Sequence, residues 1–595
     1  AYTKIGTVVN NKNISVTNGQ NIGMYVAGTG TGNNTANGKV KVNSNGSIGL
    51  MTAGTGTITN KGEVNVTGGN NSSNTRGTIG LSVGEGSTID STNGKVTTDV
   101  KQDKSIGVYS NGTLKLGEST IAASNQAVNY FADDKGKIEI VAGKTSKATT
   151  GQSSLLFYTK GLGKIILGGQ LNATIKGGTI PSKRGTAFYY ISPTRYGAFN
   201  TAGIQNYFNN TFGNGTSTLN HLTLNMEQGS RLFVASNVGM NLSDTSATSL
   251  MSGINNAPTI TGSNYKTFML YLSKLTINQA VDLNDVNSNY ARLEIANSSI
   301  DNENSMTGNQ NRQVAMAQEN GNDTTGAGYE SKEVTLTNKA TGVINLTGEE
   351  TTGIYAKRGR ITNAGKISVG KKSTGIYLVE DDRSPATAIV GAIATNDASG
   401  VITVGENSTG IYYKVKNDNA DGKGTNTGVS GGISNDGRIE STAKDVIAMS
   451  FDSPYSSKTV KNEQTGVIDL QGQNSTGIFA TGTGTYTATN DGKIKLASST
   501  NVNTPNIGMY TDKSTVTLES DGTIEGGDKT VGMYGYGINL KNNAITKVGT
   551  GGTGVYSKGG NVTINGGTLS VGENGSTGSN DAVGVYYVGA GGTLT

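Results

Sequence analysis

Cysteine and tryptophan are absent from this sequence, histidine occurs once, and there are only 6 prolines in 595 residues. Without cysteine there is no disulfide framework and no thiolate chemistry, nucleophilic or metal-binding. The single histidine, His221, rules out a metal cluster built on several imidazoles. A Ser-His-Asp triad would have to use it, yet it heads an apolar alternating strand, His221-Leu222-Thr223-Leu224, with no serine elbow nearby. Charge is scarce as well: 15% of residues are Asp, Glu, Lys or Arg, so the high-charge signature of disorder is missing. The formal net charge of +5 is spread along the chain without a basic stripe, which argues against nucleic-acid binding. No run approaches the ~20 apolar residues of a membrane-spanning helix. Hydrophobic residues make up 33% and aromatics 6%, too few for several ordinary compact cores.

What is present is glycine, 89 of it, with Asn, Thr and Ser around isolated Ile and Val. That mixture suits many short β-branched strands joined by turns. One motif returns throughout, as Ile22-Gly23-Met24-Tyr25, Ile106-Gly107-Val108-Tyr109, Thr352-Gly353-Ile354-Tyr355, Thr374-Gly375-Ile376-Tyr377 and Val583-Gly584-Val585-Tyr586. Between its copies stands a second element, Gly, a polar residue, then apolar-polar-apolar: Gly38-Lys39-Val40-Lys41-Val42, Gly365-Lys366-Ile367-Ser368-Val369, Gly492-Lys493-Ile494-Lys495-Leu496. Such alternation marks a strand with one buried face. Asn often precedes that glycine by two residues, as in Asn363-Ala364-Gly365, and both residue types tolerate the left-handed conformation of a tight corner.

A unit of two or three short strands cannot bury its apolar face alone, whereas units stacked in register enclose a continuous apolar column. The expected fold is all-β, a right-handed parallel β-helix (solenoid) with an irregular central insertion. At about 25 residues per turn and ~4.8 Å of rise, it would make a rod on the order of 110 Å long. Three regions follow: β-helix repeats over 1–150, an irregular aromatic-rich region over 151–330, and repeats again over 331–595 with loop insertions at 380–455.

The irregular region reads either as extended rungs with a thicker core or as a protruding subdomain with a binding surface. Aromatic residues concentrate there, and Tyr189, Tyr190, Arg195, Tyr196, Tyr207 and Phe208 are its candidate ligand contacts. The stretch Tyr265 to Leu272 reads as a short helix. Insertions beginning at Glu380-Asp381-Asp382-Arg383, at Lys414 and at Asp452-Ser453-Pro454-Tyr455 each follow a copy of the same strand, so they should emerge side by side at one corner. Asp381, Asp382, Arg383 and Tyr455 are the candidate contacts on that corner. Tyr355, Tyr377 and Tyr412 hold equivalent positions and should form an outward aromatic ladder, either stiffening the structure or offering sugar rings a flat strip.

No cofactor or metal is expected. Gly143-Lys144-Thr145 lacks the first glycine of a phosphate loop, and the G-x-G-x-x-G at Gly549, Gly551 and Gly554 is a chance match in so glycine-rich a chain. A polysaccharide-active enzyme is the catalytic rival. It would need carboxylates paired across adjacent rungs, and the nearest candidates sit in loops.

The text Asn-x-Gly-Lys-Ile-x-Val-Gly followed by Ser-Thr-Gly-Ile-Tyr, clearest over Asn363–Tyr377, resembles the passenger repeats of large type V autotransporters, most of all the outer-membrane adhesins of fusobacteria. The resemblance covers roughly residues 1–150 and 330–595. It implies a monomeric β-helical passenger on the outer surface of a bacterial outer membrane, held by a C-terminal β-barrel outside this sequence. It also implies adhesion to partner bacteria or to host glycans and protein receptors, without enzymatic activity. A pure stalk that presents a tip elsewhere is the alternative. Ala1-Tyr2-Thr3-Lys4 is no signal peptide, and the chain reads as cut from something longer.

Overall fold

The computed structural model describes all residues except 71–75, 213–217, 255, 319–333, 382–391, 417–430, 573–580 and 590. The chain divides into two compact units, Ala1–Tyr271 with Arg292–Glu294, and Leu272–Ala291 with Ile295–Thr595. Each is a parallel β-helix. Among the described residues the paired strands run parallel, and each strand pairs with its equivalent one turn away rather than with its sequence neighbour.

In the first unit the recurring glycine motif builds one column of strands, from Ile22–Val26 through Ile48–Thr52, Ile79–Val83 and Ile106–Ser110 to Leu155–Thr159, Thr186–Ile191, Arg231–Ser236 and Lys266–Tyr271. The alternating element builds another, including Lys39–Asn43, Glu63–Gly68, Thr145–Thr150 and Gln170–Ile175. In the second unit the same two texts form columns running from Val314–Gln318 to Val583–Tyr587 and from Ser305–Gly308 to Thr568–Val571. A third column alternates with them along the chain, and its strands from Ser299–Asn302 through Thr335–Asn338, Arg360–Asn363, Ile393–Asn396, Gly431–Asn435 and Lys458–Asn462 to Tyr486–Asn490 end in asparagine.

Period-two alternation places Ile354, Ile376 and Ile411 inward with no exposed surface, and in-register pairing stacks them directly. The motif glycine is needed for space. A Cβ on Gly375 would lie 2.6 Å from the Ile402 side chain and 2.7 Å from the Gly410 carbonyl oxygen of the next rung. The opposite face carries the expected tyrosine ladder, half-buried, with Tyr355–Tyr377 and Tyr377–Tyr412 ring centroids 5.5 and 5.1 Å apart. It is interrupted at Ser450 and resumes through Phe479, Tyr510, Tyr534, Tyr556 and Tyr586.

Two expectations are corrected here. The asparagine two residues before the glycine is not a left-handed corner residue: Asn363, Asn435 and Asn490 keep negative φ, as do Asn338, Asn396 and Asn462, which stand four residues before theirs. Their side chains are buried, and each Nδ2 donates to the Oδ1 of the next along Asn302, Asn338, Asn363, Asn396, Asn435, Asn462 and Asn490, at 2.7–2.8 Å. A shorter ladder joins Asn10, Asn34 and Asn60 in the first unit, at 2.7 Å per link. Left-handed residues occupy a different corner, three positions before the motif glycine, at Glu350, Lys372, Asn407, Asn474 and Lys529. The second correction concerns Tyr265 to Leu272, which contains the strand Lys266–Tyr271 and no helix. Phe268 stacks in register on Phe233 of Arg231–Ser236, and the column continues through it.

Loss of one ladder asparagine orphans a donor on one side and an acceptor on the other. Each unsatisfied buried group costs about 1–3 kcal/mol. The Asn396→Ala chain should therefore unfold at a clearly lower urea concentration than the parent. Lys366→Ala, at an exposed position in the alternating column, should leave the midpoint within experimental scatter.

Candidate binding site

The first unit departs from its repeat after the strand Lys164–Leu167. That strand ends a column, and the next two rungs pass through helices where a further strand of that column would follow. Helix α1, Thr201–Phe212, lies between Thr186–Ile191 and Leu222–Met226, and helix α2, Ala247–Met251, lies between Arg231–Ser236 and Thr259–Thr261. The strands before and after both helices stay in register with the preceding rungs.

Helix α1 is held by an aromatic cluster. Its apolar residues Ile204, Phe208 and Phe212 recur at helical spacing and are buried with Tyr207. Phe208 sits 5.1 Å from Phe188 edge-on and 5.9 Å from Phe233, and Phe212 lies 5.2 Å from Phe157. In the inward column that runs on to Phe268, the rings Phe157, Phe188 and Phe233 are thus faced with rings from the helix, in the edge-on geometry that ring quadrupoles favour. Burial pushes the Tyr207 hydroxyl far above the ordinary tyrosine range, so it remains a proton donor at any physiological pH.

Beside this core opens a cleft of about 530 Å³, walled by strand residues Tyr158, Tyr189 and Tyr190 and by helix residues Asn206, Tyr207 and Asn210. Tyr158 and Tyr189 continue the outward aromatic ladder of Tyr109 and Phe131, at centroid distances of 5.2, 4.8 and 5.7 Å along the row. Tyr190 stacks on Phe199 at 4.3 Å, nearly parallel. Glycines Gly161, Gly163 and Gly203 lower the rim. No lining residue is charged, so the cleft presents aromatic faces, amides and hydroxyls.

Elsewhere in this unit Glu294 accepts hydrogen bonds from Arg184 at 2.8 Å and from Arg231 at 2.6 and 2.8 Å. Burial works to raise its carboxyl, but the bonds and charge of the two guanidiniums outweigh it and hold the group below the usual range. Arg184 and Arg231 also donate to the carbonyls of Gly178, Thr179 and Pro181, which ties down the turn that leads into Thr186–Ile191.

Of the residues expected to contact a ligand, the structure gathers Tyr189, Tyr190 and Tyr207 around the cleft. Phe208 is fully buried and supports the helix from beneath. Arg195 is exposed and lies over the Tyr196 ring at 4.9 Å, and neither lines the cleft. Asn206 and Asn210, which complete the helix wall, are not among the expected contacts. Their signal in the sequence is the Ile204, Phe208 and Phe212 spacing, which predicts a helix with these amides on its free side.

The insertion corner belongs to the second unit. Strands Thr374–Asp381, Thr409–Lys416 and Ile447–Asp452 are adjacent and in register, so their ends do lie side by side. Asp381 pairs with Lys416 along the strands, Asp382 and Arg383 lie outside the described residues, and Tyr455 is half-buried in a turn closed by Ser453. Glu380, expected at the start of a loop, is a buried strand residue, because the strand runs on to Asp381 in register with the equally long Thr409–Lys416 and carries the carboxylate into the core. It forms an ion pair with Lys458 and accepts from the Tyr413 hydroxyl. Burial, and after it the charge of Asp436 on the next rung, raise the carboxyl of Asp397, but both residues follow the asparagine strands and neither lines the cleft.

Truncating Phe208 to alanine should cost about 3–5 kcal/mol and release the helix, whereas Tyr189→Ala, at a half-buried wall position, should leave the melting transition nearly unchanged. Differential scanning calorimetry of the two variants separates the support from the wall. No known family model, curated protein or solved structure matches the chain.

Proposed function

We propose that this chain is the surface-exposed passenger part of a type V autotransporter, and that it works as an adhesin on the outer face of a bacterial outer membrane. The repeat text and the parallel β-helix it forms support the passenger reading, since a stacked solenoid displays its loops and insertions on a stiff frame. The adhesin reading rests on the uncharged aromatic cleft at α1, the place where the first unit departs from its repeat. A stalk has no use for such a departure. Catalysis is not part of the proposal. The partner is a bacterial or host surface, and the cleft suits a glycan on it: tyrosine faces cover the apolar side of a sugar ring, while Asn206 and Asn210 meet its hydroxyls.

Point variants test this better than removal of the irregular region, which would take complete rungs out of the stack. Purified parent chain should bind partner cells, and the double variant Tyr189→Ala, Asn206→Ala should lose at least about tenfold in affinity, the ~1.4 kcal/mol expected for a few lost polar and ring contacts. The β signal in circular dichroism should not change. Equal binding by parent and variant removes the cleft from consideration, and failure of the parent to bind any surface leaves the stalk reading in its place.

A further inference from the structure

In the second unit Lys458, at the start of Lys458–Asn462, has a side chain with no exposed surface, and its partner Glu380 is 5% exposed. The Lys458 Nζ lies 2.8 Å from Oε1 and 3.0 Å from Oε2 of Glu380, across 78 residues of sequence. The Tyr413 hydroxyl donates to Oε2 at 2.6 Å. Its ring lies flat against Phe451 at 4.8 Å, and Phe451 in turn meets Tyr486 at 5.1 Å. Gly431, in register with Lys458, leaves room for the amine: even a Cβ there would stand 3.3 Å from Nζ.

Such an arrangement is costly as a plain ion pair, because two desolvated charges recover their hydration only from each other and from the Tyr413 hydroxyl. It is also the geometry of an intramolecular condensation. We propose that Glu380 and Lys458 become joined by an isopeptide bond that forms inside the folded core. The reaction is balanced without any co-reactant. Transfer of one proton from the ammonium to the carboxylate gives an amine and a carboxylic acid. Nζ then adds to Cδ. Negative charge gathers on Oε2, where the Tyr413 hydroxyl is already placed to hold it, and burial together with the Glu380 charge keeps that hydroxyl protonated. Oε1 leaves as water, taking the acid proton and one proton from nitrogen, and an amide remains. Holding the amine and the carboxyl at contact distance supplies the effective concentration that free reactants lack, and a site closed to solvent resists hydrolysis.

The bond would link a strand of the motif column to a strand of the asparagine column, and Tyr413 stands on the rung between them. The strand ends at Asp381 and Lys416 would be fixed at their base. Backbone ladders hold the remaining rungs together, and here a permanent bond would replace a pair that pulling or acid could separate.

The test is the mass of the intact, denatured parent chain. It should be lighter than the sequence mass by one water, and digestion should release the peptide containing Glu380 attached to the one containing Lys458. Lys458→Met should restore the full mass, and Glu380→Gln should lose ammonia in place of water. Full mass with the two peptides recovered free overturns the proposal. So does a water loss that maps to Asp421-Gly422, Asp436-Gly437, Asp491-Gly492 or Asp521-Gly522, where succinimide formation expels the same molecule. Because the deciding measurement is made on the unmutated chain, a variant that fails to fold does not change the outcome.

Discussion

The fold depends on keeping equivalent residues in register from one rung to the next, and over the rungs from Asn302 to Asn490 the buried asparagine ladder is the interaction that enforces it. A column of leucines would tolerate a slip that keeps the same face inward, because apolar contact has no direction. An amide does not. Each Nδ2 must find the Oδ1 of its neighbour, and a displaced asparagine leaves two buried polar groups unpaired at about 1–3 kcal/mol each. The row of such side chains from Asn302 to Asn490 places the correct register well below any other in free energy. Glycine works with them by a different route. At Gly365 a Cβ would come within 2.2 Å of the Gly342 carbonyl oxygen and 2.8 Å of the Asn338 amide, so the spacing of the ladder itself excludes any larger residue.

A frame so strictly periodic has little freedom to build a site. A pocket needs unlike residues at unlike heights, and identical rungs supply a flat wall. The first unit solves this without breaking its register. Two of its columns pass straight through the irregular region, while α1 and α2 follow the column that ended at Lys164–Leu167 and the strands Gly197–Ala198 and Val238–Asn241 begin another. The inserted helix must bury its own apolar side, and Phe157, Phe188 and Phe233 stand where earlier rungs carry Leu81 and Val108. Those larger rings receive Phe208 and Phe212. The cleft is then the gap between a straight sheet edge and a round helix. Its position follows from packing, and its chemistry from the tyrosines that were already part of the outward ladder.

The architecture was legible in the sequence because its signals are additive: each copy of the glycine motif and each alternating triplet repeats the same statement. What was not legible depends on contacts that leave no period. Asn363 looks like a turn residue by composition, and only the stack reveals that its amide points inward. Tyr265 to Leu272 has the length and apolar content of a buried helix turn, but the Phe233 column decides it as a strand. Conversely, the spacing Ile204, Phe208, Phe212 is legible as one face of a helix, in a region that composition alone marks only as irregular and aromatic-rich. Glu380 and Lys458 are 78 residues apart, and nothing in either neighbourhood announces the other.

These two places, the helix in one unit and the buried ion pair in the other, share a physical logic. Both occur where a rung grows longer than the common repeat, by an inserted helix in one unit and by the paired extension of two neighbouring strands in the other. The first unit covers its extra chain with aromatic packing, which gains from burial at every contact. The second extends the strand Thr374–Asp381 and so carries the Glu380 carboxylate into a core where it is not stable alone, and Lys458 meets it there. A solenoid can lose a hydrophobic contact and remain a solenoid, but an unpaired charge in its core would open the rungs on both sides. Separating Glu380 from Lys458 would leave each charge buried and unpaired, so the pair holds the insertion corner to one arrangement of the backbone, at the point where periodicity no longer does so.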